Sequence, residues 1–109
     1  MALCNQQTRQ GLFEIPRQVE LWAEDYASQL SEDHAYNIML VADFESEIDN
    51  LAIAALACGF KQGILTVEEY SYLGGKVWDT WARFHNVAIY YKGKESWLRR
   101  LIRRVFGTS

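Results

Sequence analysis

Four stretches of the chain repeat apolar side chains at steps of three and four residues, the period of an amphipathic helix. The first has Val19, Ala23, Tyr26 and Leu30, widened by Leu21 and Trp22, and predicts a helix over 16–31. Pro16 suits its first turn, where a missing N–H costs no intrahelical bond. Glu20, Glu24 and Asp25 add negative charge to that helix, and the dipole favours such charge near the N-terminal end. Ser31 to His34 reads as a break, with Ser31 or Asp33 capping the next helix. The second stretch, predicted over 33–58, is the most regular: Val41, Phe44, Ile48, Leu51, Ala55 and Cys58 share one face. Alanines between Ala52 and Ala57 raise its helix propensity, and Gly59 is the expected stop.

A capping box starts the third helix, predicted over 66–90. Thr66 and Glu69 have the S/T-x-x-E spacing in which each side chain satisfies the other's free backbone N–H, and Leu65 and Tyr70 are placed as a hydrophobic staple. Leu73, Val77, Trp81, Phe84 and Ala88 form its stripe, interrupted in propensity by Gly74 and Gly75. These two mark a close approach or a kink. Val87 to Tyr91 fits either the end of this helix or a short strand, being β-branched and aromatic. After Lys92–Gly93–Lys94 the fourth stretch, 95–106, sets Trp97, Leu98, Leu101, Ile102, Val105 and Phe106 against Arg99, Arg100, Arg103 and Arg104. Residues 1–14 show little periodicity and read as a loose leader. The pattern predicts an all-α fold, a bundle of about four helices in a single domain, with short connections favouring antiparallel neighbours.

Composition agrees with that reading. The 109 residues suit one domain and are half hydrophobic, with one proline, which opposes disorder. The longest apolar run, Leu51 to Phe60, is far short of the ~20 residues that span a bilayer. The first fifteen residues lack the basic start and apolar stretch of a signal peptide. Only two cysteines occur, Cys4 and Cys58, fewer than a disulfide scaffold of this length carries. They are read as free thiols in a reducing cytoplasm, with Cys58 a small core residue.

Charge is distributed unevenly. Residues 92–104 carry six cations against Glu95, a net +5, while the 91 residues before them carry −8, which leaves the whole chain at −3. The body is acidic and the tail basic.

Catalytic chemistry is poorly supplied. His34 and His85 are the only histidines, and neither sits in a nucleophile or metal motif. A base at His85 would need Asp79 or Glu69, and Asp79, six residues away, falls off the histidine's helical face unless the helix bends. No enzyme, cofactor or small-molecule substrate is expected. The acidic run Asp43, Glu45, Glu47, Asp49 forms two i, i+4 pairs on different flanks of the second helix. It lacks the glycine of a calcium loop and the Glu-x-x-His pairs of a di-iron bundle, so no metal is expected. Its like charges one turn apart slightly oppose the helix, which leaves the face available to a basic partner.

The basic last helix has three readings: a core helix with solvated arginines, a membrane-surface helix, or a phosphate- or carboxylate-binding one. The acidic body weighs against nucleic acid and makes pairing with Asp43 to Asp49 plausible. Aromatics in excess of the core, among Trp22, Tyr36, Tyr72, Trp78 and Trp97, are candidate interface anchors.

The expected function is a non-enzymatic protein that binds another protein and occludes a site on it. Asp43, Glu45, Glu47, Asp49, Trp78, Trp97, Arg99, Arg100, Arg103 and Arg104 are its candidate contacts. The alternative is a peripheral membrane or nucleic-acid binder using the last helix, and a homodimer is compatible with either. In size and make-up the whole chain resembles the small inhibitors encoded by phages and mobile elements, anti-CRISPR proteins among them, though no motif carries the resemblance. It implies an acidic face that occupies a nucleic-acid channel.

Overall fold

Side-chain hydrogen bonds mark where three of the described helices begin. The computed structural model describes residues 7–92, and within them the chain is all-α with no strand. A short helix, α1 (Arg9–Phe13), is capped by Thr8, whose hydroxyl accepts from Gly11 N. It leads into α2 (Ile15–Ala27), with Pro16 in the first turn as expected. Asp33 caps α3 (His34–Glu47), its carboxylate accepting from Tyr36 N at 3.3 Å. A π-helical segment, Ile48–Ile53, follows without a break and continues into α4 (Ala54–Lys61). The capping box forms at α5 (Val67–Ile89): Thr66 N donates to Glu69 at 2.9 Å and Glu69 N to Thr66 Oγ1 at 3.1 Å.

The long α3–π–α4 unit and α5 pack antiparallel. Phe60 stacks on Tyr70 beside the turn, and Phe44 meets Phe84 farther from it. Arg9, just ahead of α2, reaches that same turn, donating to Ile64 O at 3.2 Å and gripping the Glu69 carboxylate with both guanidinium nitrogens. Since α2 starts at the turn where α5 starts, the two run parallel. The core lies between them: Leu12, Val19, Phe44, Ile48, Leu56, Leu73 and Val77 are all buried. Tyr26, Phe44 and Phe84 form an aromatic triangle with ring centroids 5.0–6.0 Å apart. Buried Asn37 closes the α2–α3 connection, accepting from Ser31 N at 3.0 Å and donating to Ser31 O at 2.8 Å. A buried amide is tolerable because both of its ends are satisfied.

Several expectations need correction. Residues 9–13 are helical rather than part of a loose leader, and Leu12 is wholly buried; one buried leucine is too short a pattern to register as periodicity. Helix α2 ends at Ala27, with Leu30 buried from the turn that follows. The helix expected to stop at Gly59 runs to Lys61, and Gly63, at φ 77°, is the glycine that turns the chain. Gly59 is instead a contact point: a Cβ there would run into the side chain of Leu12. Val87 to Ile89 complete α5, so that part of the possible strand is helix. Cys58 is disulfide-bonded rather than a free thiol; a cysteine count tuned to multi-bridge scaffolds overlooks a lone bridge. Cys4 and the predicted helix 95–106 lie outside the described residues.

The largest correction concerns phase. After Ile48 the buried positions are Ala52, Leu56 and Gly59, not Leu51, Ala55 and Cys58. A π turn bonds i to i+5 and takes up one extra residue. That slip moves the buried stripe one position along and leaves Leu51 55% exposed.

Gly75 sits exposed inside α5 with nothing within 4 Å of an added Cβ, and α5 runs through it unbroken. Gly75→Ala is therefore expected to stabilise the protein by about 1 kcal/mol through helix propensity and a less flexible unfolded chain. Thermal denaturation would register it as a rise of roughly 4–8 °C.

The Arg9 guanidinium, then the Thr66 N–H, hold the Glu69 carboxyl down at about 2, from an ordinary 4.5. Its folded form therefore binds protons less readily than its unfolded form. The contribution is complete above pH ~4.5 and is lost as pH falls toward 2. Melting curves of wild type and Glu69→Gln are expected to converge over that window, and parallel curves would deny the linkage.

Candidate interaction surface

Helix α3 turns Phe44, Val41 and Leu40 inward, so at 3.6 residues per turn its opposite side faces out. One row on that outer side, at successive i, i+4 steps, is Met39, Asp43, Glu47 and Leu51. A second holds Ile38, Ala42, Glu45 and Asp49. Met39 and Leu51 are more than half exposed and Ile38 is 40% exposed. Asp43, Glu45 and Asp49 are exposed and Glu47 half-buried. The surface is thus an acidic strip with apolar side chains at both ends of one row.

Packing against α2 gathers part of this charge. Burial, then the carboxylate of Glu47, then Asp43 and Asp25, push the Tyr26 phenol up to about 12. Tyr26 belongs to the core triangle, so the acidic strip is attached directly to the packed centre of the fold. Asp43 and Glu47 are brought together beside Tyr26, while Glu45 and Asp49 lie on the other row, as the two-flank spacing implies. Among the described residues no group of three His, Cys, Asp or Glu side chains is arranged to hold a metal ion.

Trp78 is half-buried and edge-on to Trp81, with centroids 6.0 Å apart. Trp81 donates from Nε1 to Val41 O at 3.3 Å and stacks on His85 at 5.2 Å, pinning α5 to α3. Trp22, Tyr36 and Trp78 pack against the core, whereas Tyr72 stands 58% exposed beneath the Lys76 ammonium. Trp97, Arg99, Arg100, Arg103 and Arg104 lie outside the described residues. His34 is exposed, and α5 is unbroken from Asp79 to His85, so the bend that would bring those two together does not occur.

Ile38 and Met39 are legible as surface residues, since both fall off the Val41–Phe44–Ile48 stripe. Leu51 is not, because its exposure depends on the π turn. No helix among the described residues is long and apolar enough to cross a membrane. No known protein family, curated protein or solved structure matches the chain.

Proposed function

We propose that the chain is a non-enzymatic binding protein that presents the outer face of α3 to a basic site on a partner protein and occludes it. The supporting observation is the joint exposure of Met39, Ile38 and Leu51 beside Asp43, Glu45, Glu47 and Asp49 on one continuous helix. Apolar side chains exposed to this extent among like charges add little to this fold. In an interface they supply area while the carboxylates steer the encounter and set its register. An inhibitor of the kind mobile elements encode would use such a strip to cover a nucleic-acid channel.

The reading is tested by comparing two variants with wild type in capture from native lysate, each first checked for an unchanged melting temperature. Asp43→Lys with Asp49→Lys reverses charge, and Met39→Ser with Leu51→Ser removes apolar area. Loss of the same stoichiometric partner in both is the expected result. Retention of that partner by both would refute it. Nucleic acid or lipid released by salt would transfer the activity to the basic tail. A cytoplasmic site of action has the Cys58 disulfide against it, because such bonds persist mainly in oxidising compartments. Thiol counting in freshly lysed cells decides: two free thiols indicate a reducing compartment, none an oxidising one.

A further inference from the structure

A groove of about 320 Å³ runs between α2 and α5, lined by no residue of α3. Ala23, Ala27, Phe84 and Val87 give it an apolar floor. Its rim carries Arg17, Glu20 and Glu24 on α2, and Arg83 on α5. Arg17 pairs with Glu20 at 3.3 Å, whereas Arg83 donates to a hydroxyl, Thr80 Oγ1, at 3.2 Å. Among the described residues Glu24 pairs with no cation and Arg83 with no carboxylate. The rim is therefore neutral, with one unmatched charge of each sign, one on each wall. Such a rim prefers neither an acidic nor a basic occupant. What it complements in charge is a second copy of itself.

The heights of these residues along their helices fit a two-fold pairing. Tyr26 and Phe84 lie side by side, ring centroids 6.0 Å apart, on helices that run parallel. At about 1.5 Å per residue, Glu24 and Arg83 then stand within about 2 Å of one height. A two-fold axis across the groove at that height lays α5 of one copy antiparallel on α2 of the other. From Arg83 forward, Val87 and Tyr90 follow at steps of four and three residues. From Glu24 backward, Glu20 and Arg17 follow at the same steps. In an antiparallel pair these two rows match position for position. Val87 is 38% exposed and Tyr90 66%, so both have apolar area left to cover.

We propose that this face is an interface between two copies of the chain, with Arg83 of each paired to Glu24 of the other. Val87 lies over the stem of Glu20, and the ring of Tyr90 over the Arg17 guanidinium. The face is two helices wide and about 20 Å long, near the lower end of specific interfaces. The dimer is accordingly reversible and dissociates on dilution. It uses no residue of α3, so the inference is independent of the partner-binding role proposed there.

Sedimentation velocity of the full-length protein, from micromolar to millimolar concentration, reads the association. Wild type is expected to pass from monomer to dimer over that range. Glu24→Arg and Arg83→Glu, each checked for an unchanged melting temperature, are expected to weaken it at least roughly tenfold, because the axis counts each change twice. An equimolar mixture of the two variants is expected to dimerise as wild type does. One of its charge pairs is reversed and the other natural, and both attract. Wild type that stays monomeric throughout would overturn the proposal. So would single variants that associate like wild type, or a mixture no tighter than either variant alone. Asp43→Lys with Asp49→Lys is expected to leave the association unchanged; its loss there would move the contact to α3 and overturn the assignment.

Discussion

Phe44→Ala is expected to cost about 3–5 kcal/mol of folding stability. Phe44 is wholly buried and lies in contact with rings from two other helices, Tyr26 at 5.0 Å and Phe84 at 5.4 Å. Three terms combine: lost transfer energy, a cavity the surrounding helices cannot close without shifting, and two aromatic contacts worth about 0.5–1.5 kcal/mol each beyond area. A domain of this size has about 5–15 kcal/mol in total. The variant is therefore expected to melt at least ~12 °C lower in a thermal scan. A drop of only a few degrees would mean the triangle is not the centre of the fold. Phe44→Leu keeps most of the volume and should recover about half the loss.

Leu12→Ala comes second, at about 2–5 kcal/mol. The side chain is wholly buried although its helix has only five residues, and its anchorage lies on α4, where it rests against Gly59. The two positions should be coupled. Gly59→Ala gains helix propensity of about 1 kcal/mol but drives its new methyl into Leu12, at about 1–3 kcal/mol of overpacking. In the Leu12→Ala background the methyl has room, so the same change should turn from costly or neutral to stabilising. A double-mutant cycle in denaturant reads that sign reversal directly. Additive effects would show that α1 is not seated on α4.

Much of this architecture is legible from local rules. The capping box at Thr66 and Glu69, the cap at Asp33 and the stripe of α5 each follow from one turn of backbone chemistry, and the structure has them in place. What escapes has in common a dependence on distant partners. Glu69 forms the predicted box, yet its second role, as the carboxylate that holds Arg9 sixty residues away in sequence, has no local sign. Gly59 looks like a helix stop until Leu12 is found against it. For the surface, the acidic residues are visible as a run, but which apolar neighbours stand exposed beside them depends on the core phase. Ile38 and Met39 follow from that phase, and Leu51 departs from it.

The π segment also sets where this chain tolerates a change of length. A residue removed anywhere else in the 34–61 unit would twist one half of the helix by about 100° against the other, carrying Phe44 or Leu56 off the core. Removal of Asn50, exposed and inside the π turn, would convert that turn to an ordinary one and leave both halves aligned. The wide turn is thus a spare link: the same core accommodates chains one residue apart in length.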